Sequence, residues 1–319
     1  MTAATVRAPA RPERRSELKR RRVRAALVFL APAAIALCIV AGWPLARTIA
    51  FSFTDATLGH LQSTQWVGLR NYFAVTKLDS GRIITSGVLV DPGWWRAVGN
   101  TLSFAVVSVA IEAVLGMAIA LALNAKFRGR GLIRAAILIP WAVPTIVSAR
   151  MWSWMLNDQF GVVNDALVRL GIISHKIAWT VNPDTAMLTV IGVDVWKTTP
   201  FVALLVLAGL QTIPNDIYEV AAIDGVSPIV TFFKITLPLV RPALLVAMIF
   251  RFLDSMRMFD LVYVLTPNSA QTKTMSALAR ENLFDFDKFA YGCSEATLLF
   301  LITFAAVILY IRIGRLNLA

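Results

Sequence analysis

The sequence has few charged residues, few histidines and few cysteines for its length. Only 16% of its 319 residues are charged, whereas 57% are hydrophobic, which is far too much apolar surface for one water-soluble domain. The histidines, His60 and His175, and the cysteines, Cys38 and Cys293, lie far apart in sequence. Neither a disulfide framework nor a metal site is therefore indicated. The composition predicts an integral membrane protein.

Signatures of common enzymes are missing as well. The chain has no G-x-x-x-x-G-K-[ST] phosphate loop, no H-E-x-x-H and no G-x-S-x-G. Two histidines in separate loops also make a Ser/His/Asp triad implausible. The sequence therefore predicts a protein that is not itself an enzyme and binds no cofactor of its own.

Six long apolar runs divide the chain into membrane spans and loops. A helix needs about 20 apolar residues to cross about 30 Å of hydrocarbon. The predicted spans are residues 25–49, 98–125, 133–156, 186–210, 243–265 and 293–311. They form a transmembrane domain of residues 25–313, between a basic tail of residues 1–24 and a short tail of residues 314–319. The first run is too long for a cleavable signal peptide, so we expect an all-α membrane protein with six transmembrane helices.

The basic residues indicate the orientation of these spans. The net charge of +12 would suggest nucleic acid as a partner for a soluble protein, but here its placement decides the interpretation. With the N-terminus inside, 17 of the 31 Lys and Arg residues fall in cytoplasmic segments and nine in the opposite loops. The positive-inside rule therefore places both termini in the cytoplasm. The basic tail could also bind anionic lipid, although a topology signal is the simpler explanation.

The segment of residues 211–242, between spans four and five, is the most informative part of the chain. Asn215 predicts the N-cap of a short helix that Gly225 ends. Ser227 predicts the N-cap of a second short helix, which should end near Pro238 because proline disfavours helix at the residue before it. The same charge rule places this hairpin in the cytoplasm. Such a compact hairpin between two spans suits docking to another protein.

This segment resembles the EAA loop of the permease subunits of type I ABC importers, above all those for sugars. The pattern is E-A-A, three residues, G, nine residues and I-x-L-P. The residues that fit it here, with two that suit the sugar-importer version, are Glu219, Ala221, Asp224, Gly225, Phe232, Ile235, Leu237 and Pro238. Val220 departs from the usual alanine. Shorter similarities are G-L-R-N-Y at 68–72, N-T at 100–101, I-P-W-A-V-P at 139–144 and G-V-V-N at 161–164.

The resemblance implies a permease fold, a function and a set of partners. In the family this hairpin docks into the ATP-hydrolysing subunit, the glutamate facing a basic partner and the glycine allowing the bend. The implied complex contains a second, similar permease, two ATPase subunits that bind ATP and Mg²⁺, and an extracytoplasmic sugar-binding lipoprotein. The chain itself would lie in the bacterial cell membrane and form half of the translocation pathway.

Several ionisable residues lie inside the predicted spans. They are Glu112, Arg150, Asp194, Lys197, Arg251, Asp254, Arg257 and Asp260. A charge at bilayer depth costs at least about 2.5 kcal/mol, so such residues face a cavity or another helix. Helical spacing gives spans four and five one polar and aromatic stripe each. A sugar requires this mixture, because polar groups bind its hydroxyls and aromatic faces cover its C–H surface.

The resemblance to the maltose permease assigns the sugar site residue by residue. Its sugar-contacting positions fall on Asp194, Lys197, Thr198, Phe201, Phe250, Leu253, Asp254 and Arg257. The side chains differ from those of the maltose permease at several of these positions. An alternative is that Asp194 with Lys197, and Asp254 with Arg257, are ion pairs that hold helices together. Glu112, Arg150 and Arg251 are interpreted as packing or gating residues.

The substrate and the class of protein have alternatives. The arginine- and alanine-rich chain resembles the trehalose importer permeases of mycobacteria, so a disaccharide such as trehalose is the first expectation. Lys197 and Arg257 would also suit glycerol-3-phosphate, and another oligosaccharide is possible. A secondary transporter would predict an inverted repeat, and a channel would predict a pore loop. A membrane-embedded scaffold or enzyme is a distant alternative.

Overall fold

A computed structural model describes residues 13–77, 83–125, 127–267 and 269–314. The α-helices are α1 (Glu13–Leu37), α2 (Trp43–Phe51), α3 (Pro92–Asn124), α4 (Arg130–Ile137), α5 (Ile139–Ala142), α6 (Thr145–Met155), α7 (Val162–Arg169), α8 (Pro183–Gln211), α9 (Asn215–Ile223), α10 (Pro228–Thr231), α11 (Leu237–Met256), α12 (Asp260–Leu265), α13 (Met275–Arg280) and α14 (Phe289–Gly314). The π-helical turns are Cys38–Gly42, Phe232–Thr236 and Glu281–Asp285, and the 3₁₀ turns are Gly68–Asn71 and Val88–Val90. The antiparallel strands β1 (Ala74–Lys77) and β2 (Ile83–Ser86) form a small hairpin. Contacts divide the chain after Ala50 into two compact units.

The described part of the first unit is one long helical run. From Arg20 through α1, a π-helical turn and α2 to Phe51, 32 residues form a helix long and apolar enough to span a bilayer. Apolar side chains such as Leu27 and Phe29 are exposed, as expected for a surface that lipid covers. The basic tail predicted at residues 1–24 falls within the described residues only from residue 13 onward.

The second unit contains the other spans, one of them sharply bent. Its straight candidates are Pro92–Asn124, Pro183–Gln211, Pro228–Met256 and Phe289–Arg312. Predicted span three is instead a pair, Arg130–Ala142 and Thr145–Met155, bent by 89°. Pro144 explains the break, because proline forces an extended backbone on Val143, whose ψ is 132°. Counting this pair as one span, the described residues contain the six spans that the sequence predicts.

The fifth span ends before its predicted limit at residue 265. Helix α11 stops at Met256, and the separate helix α12 begins at Asp260. At the break, the Arg257 amide turns back to the Asp254 carbonyl at 3.1 Å, three residues away rather than four. No glycine or proline lies between α11 and α12, so the local sequence carries no stop signal.

Helices α3, α8 and α11 pack together at the centre of the second unit. Two glycines allow their backbones to approach closely. A Cβ added to Gly116 of α3 would lie 2.7 Å from Val202 Cγ1 of α8. A Cβ added to Gly209 of α8 would lie 2.5 Å from the Cβ of Ala243 in α11. Such small residues are the usual basis of close helix packing in membranes, and here they bring the charged residues of three spans together.

Three asparagines hold loop segments in place, and each lies in a segment that resembles the sugar-importer permeases. Asn71, Asn100 and Asn164 donate side-chain hydrogen bonds to backbone carbonyls of other segments. The acceptors are Ser52 and Thr54 for Asn71, Ala270 and Lys273 for Asn100, and Asn157 and Ile177 for Asn164. These short motifs therefore have structural roles, because each amide provides hydrogen-bond donors to the carbonyls of irregular backbone.

Candidate functional site

The predicted hairpin forms around Gly225. Helix α9 ends in a Schellman motif, in which the Val226 amide donates to Ala221 O at 3.0 Å and the Gly225 amide donates to Ala222 O at 3.1 Å. Gly225 has φ +69°, a left-handed conformation that favours glycine. Ser227 is the N-cap residue of the following helix. The glycine bend and the second N-cap thus lie where the sequence predicts them.

Two details of the hairpin differ from the prediction. The N-cap residue of α9 is Pro214, so Asn215 is instead its first helical residue. The second helix does not end near Pro238 but continues from Pro228 to Met256 as part of span five. A π-helical turn precedes Leu237 and places the proline in the first turn of α11. Proline is tolerated there, since local π geometry accommodates its missing N–H.

The residues of the predicted coupling motif differ in exposure. Glu219, Asp224, Gly225 and Pro238 are exposed, Phe232, Ile235 and Leu237 are half-buried, and Ala221 is buried. An open groove of about 570 Å³ lies beside them, lined mainly by apolar side chains of α9 and the following helix, with Leu121 of α3. The hairpin therefore combines an exposed acidic face with an apolar groove.

Spans two, four and five meet in a buried charge network. Its centre is Arg251 of α11, whose side chain is only 3% exposed. The guanidinium lies 2.7 Å from Glu112 Oε2 of α3, 2.9 Å from Asp194 Oδ2 of α8 and 2.6 Å from Asp254 Oδ2 of α11 itself. Thr198 Oγ1 also donates to Glu112 Oε1 at 2.7 Å. Paired charges of this kind are tolerated at membrane depth, whereas isolated ones are very costly.

This network corrects the alternative pairing that the sequence suggested. Asp194 and Asp254 both pair with Arg251 rather than with Lys197 and Arg257. The Arg257 Nε–H is instead directed to the Leu253 carbonyl at 3.3 Å. The interpretation of Glu112 and Arg251 as packing residues agrees with these ion pairs between spans, but the sequence did not identify the two residues as partners.

Lys197 holds the broken third span. Its ammonium donates to the Val143 carbonyl at 2.8 Å and to the Trp141 carbonyl at 3.4 Å, both at the end of α5. The ring of Trp141 stacks on Phe201 with centroids 5.9 Å apart. A helix end leaves carbonyls without intrahelical partners, and a lysine can satisfy them. Two predicted sugar-site residues, Lys197 and Phe201, thus contact the bend.

The predicted sugar-site residues divide into two groups by exposure. Asp194, Lys197 and Thr198 are buried, and Phe201 and Leu253 are half-buried. Phe250 and Asp254 are exposed four residues apart on α11, and the exposed Arg257 is its C-cap residue. The spacing of four residues places Phe250 and Asp254 on one helix face, with Arg257 at the end of the helix. The exposed face of α11 and the buried group on α8 are joined through Arg251.

Two further carboxylates have partners outside this network. Both oxygens of the buried Glu295, in α14, accept hydrogen bonds from Asn282 Nδ2 at 2.9 Å. In the loop after span three, Lys176 Nζ lies 2.8 Å from Asp165 Oδ1 and lowers the pKa of this exposed carboxyl through a hydrogen bond and charge attraction. Neither group touches the exposed face of α11.

Sequence comparison places the chain among transport proteins. Residues 113–316 match the family described as binding-protein-dependent transport system inner membrane component. The trehalose/maltose transport system permease protein MalF of Thermococcus litoralis is 38% identical over 302 residues, which cover 94% of this chain and 97% of that protein. The trehalose transport system permease protein SugA of Mycobacterium tuberculosis is 34% identical, covering 87% of this chain and 84% of that protein. The sulfoquinovosyl glycerol transport system permease protein SmoG of Agrobacterium fabrum is also 34% identical, covering 91% and 90%.

Structural comparison supports the fold. A crystal structure of a bacterial ABC transporter involved in the import of the acidic polysaccharide alginate matches with a TM-score of 0.74 at 18% identity, covering 96% of this chain and 100% of the matched chain. The helical, multi-pass permease fold that the sequence predicts is therefore confirmed. The chain belongs to the family of binding-protein-dependent transport system inner membrane components.

Proposed function

We propose that this chain is a permease subunit of an ATP-driven, binding-protein-dependent importer for a sugar, with the disaccharide trehalose as substrate. The observation that carries the proposal is the exposed surface at the end of α11, where Phe250, Asp254 and Arg257 lie beside the buried network around Arg251. A carboxylate within a span is costly to expose to lipid, so the side of α11 that carries Asp254 suits a polar pathway. The named relatives, which transport trehalose, maltose or a sugar glycoside, support a sugar as its ligand.

The proposed sugar site combines both groups of residues. Asp254 and Arg257 offer exposed polar atoms, and Phe250 offers an apolar ring for the C–H face of a sugar. Asp194, Lys197 and Thr198, with Phe201 and Leu253, line the path behind them and would be uncovered as the helices move. A neutral sugar suits this site because acidic and basic side chains alternate along it.

Coupling to ATP is assigned to the hairpin around Gly225. We propose that its exposed acidic face, with Glu219 and Asp224, docks on an ATPase subunit. Ala221, Phe232, Ile235, Leu237 and Pro238 would connect this face to span five, whose helix already contains the last four of them. The ATPase subunits would bind ATP and Mg²⁺, and this chain would take no part in hydrolysis. A second permease and an extracytoplasmic binding protein would complete the complex, with both termini of this chain in the cytoplasm.

Transport requires that ATP and sugar favour different states of the permease. ATP-driven closure of the ATPase subunits would move the hairpin as a lever and turn the spans outward-open, and the binding protein would release sugar into the opened pathway. Sugar that bound both states equally could not drive this change, so the shift must come from ATP.

A second candidate ligand is a sugar or glycerol phosphate. Arg257 favours it, because its exposed guanidinium could bind a phosphate with two parallel hydrogen bonds. The buried Lys197 favours it less, since its ammonium is already bound to the carbonyls at the bend.

The first test is ATPase activity of the reconstituted complex with its binding protein, measured with trehalose, maltose and glycerol-3-phosphate. Stimulation by trehalose alone is the expected result. Stimulation by glycerol-3-phosphate alone would replace the sugar with a phosphate ester as substrate. Failure of the chain to copurify with an ATPase subunit would contradict the assignment of the hairpin.

A further inference from the structure

We propose that Arg251 is a positioning residue of the sugar site, which holds the Asp254 carboxylate in the orientation that sugar hydroxyls bind. This inference rests on the proposed function. It gives Arg251 and Glu112 a role in recognition, although neither is among the residues predicted to touch the sugar.

The guanidinium of Arg251 joins three helices through three different carboxylates. Its Nε and one terminal nitrogen donate to the two oxygens of Glu112 at 2.7 and 2.9 Å, so the pair is bidentate. The same terminal nitrogen donates to Asp194 Oδ2 at 2.9 Å, and the other donates to Asp254 Oδ2 at 2.6 Å. Because Glu112 binds one side of the planar guanidinium group through two hydrogen bonds, this group has little freedom to rotate. Glu112 therefore sets the direction in which Arg251 presents its remaining N–H groups.

Exposure within this network is strongly asymmetric. The side chains of Glu112, Asp194 and Arg251 are 0%, 1% and 3% exposed, whereas that of Asp254 is 63% exposed. A ligand in the pathway can therefore reach Asp254 directly but not Arg251. Any effect of Arg251 on a ligand at this exposed surface must therefore act through the Asp254 carboxylate.

A held carboxylate is a better acceptor for a sugar than a mobile one. Fixing a side chain before the ligand arrives removes part of the entropy that binding would otherwise cost. Two neighbouring hydroxyl groups can then donate to one ionised carboxylate, in charge-assisted hydrogen bonds. Arg251 also offsets part of the negative charge of the three carboxylates around it. The arrangement suits a neutral polyhydroxyl ligand.

The test is equilibrium binding of carbon-14-labelled trehalose to the assembled complex in nanodiscs, without the binding protein. The variants are Arg251→Lys, which keeps the charge but loses the planar fork, and Glu112→Gln, which removes the bidentate ion pair. Both should raise the dissociation constant per assembled complex about tenfold, the equivalent of one charge-assisted hydrogen bond. Assembly is measured separately by size-exclusion chromatography of the purified complex.

The matched control is Glu295→Gln, which replaces a buried carboxyl group that is hydrogen-bonded to Asn282 with an amide of the same size. It should leave trehalose affinity unchanged, and an equal loss in this control would overturn the proposal in favour of general loosening. Wild-type affinity in Arg251→Lys and Glu112→Gln, or loss of assembled complex in both, would also overturn it and leave only a structural role. Absence of trehalose binding in the wild-type complex would instead refute the proposed substrate, and this inference with it.

Discussion

At the scale of single residues, Gly225 has the most demanding backbone in the hairpin. Its φ of +69° ends helix α9, and open space surrounds the position where a Cβ would stand. Proline fixes φ near −65°, so Gly225→Pro cannot form this bend and should abolish sugar-stimulated ATPase activity. Insertion of the chain into the membrane should persist, because the substitution lies outside the spans. The measurement is stimulated ATPase activity per inserted chain.

Gly225→Asn is the control for this prediction. Asparagine tolerates the left-handed conformation better than other side chains, and the surrounding space accepts its side chain. It should keep most of the stimulated activity. Normal stimulation in Gly225→Pro would show that the hairpin does not couple ATP hydrolysis to transport.

Asp254 offers a second prediction at this scale. Asp254→Ala removes the exposed acceptor but leaves Arg251 bound to Glu112 and Asp194, so the helices should still assemble. Loss of one charge-assisted hydrogen bond corresponds to about a tenfold fall in sugar uptake at limiting substrate. Uptake of labelled trehalose by proteoliposomes measures it. A variant that fails to assemble would favour a structural role for the Asp254 ion pair.

Individual residues also show what the sequence could and could not reveal. Gly225 and Ser227 were predictable, because bends and N-caps depend on neighbours a few residues away. The pairing of Arg251 with Glu112 was not, since 139 residues separate them and no local pattern specifies which spans touch. The sequence interpretation paired Asp254 with Arg257, three residues later in the chain. The structure instead pairs Asp254 with Arg251, three residues earlier.

At the scale of helices, the close contact between α8 and α11 depends on Gly209. Gly209→Ala would place a Cβ 2.5 Å from that of Ala243 and 3.1 Å from Val240 Cγ2. Both neighbours are short, stiff side chains, so the helices must separate, at a cost of about 1–3 kcal/mol. The thermal unfolding midpoint of the purified permease complex should fall measurably.

Gly192→Ala is the matched control on the same helix. No atom lies within 4 Å of the Cβ that it would add, judged from the described residues. Alanine is also the better helix former, by about 1 kcal/mol, so the midpoint should stay the same or rise. An equal fall of the thermal unfolding midpoint in Gly209→Ala and Gly192→Ala would show that glycine in α8 matters for flexibility rather than for close packing.

The third span marks the limit of prediction for helices. Its apolar length predicts a crossing, and Pro144 is a recognisable breaker. The bend of 89° could not be predicted from Pro144, because a proline alone does not fix the direction of the next helix. Contacts from α8 to the end of α5, by Lys197 and by Phe201 against Trp141, supply that direction.

At the scale of the whole molecule, the distribution of positive charge predicts its orientation in the membrane. The basic segments alternate with less basic loops along the chain, and 17 of 31 Lys and Arg residues fall on the side assigned to the cytoplasm. The same rule assigns the turn after α3 and the hairpin around Gly225 to that side. It assigns the loop before α3, which contains strands β1 and β2, to the opposite side.

Cysteine accessibility tests this orientation. The starting variant carries Cys38→Ala and Cys293→Ala. Single cysteines then replace Ser63, in the loop before α3, and Ala125, in the turn after α3. Both positions are exposed, and neither substitution changes the net charge. A membrane-impermeant maleimide should label Ser63→Cys in intact cells and Ala125→Cys only after permeabilisation. The opposite pattern would reverse the topology and move the hairpin away from cytoplasmic ATP. Because the hairpin can couple to an ATPase subunit only from the cytoplasm, that result would contradict the coupling proposal together with the charge rule.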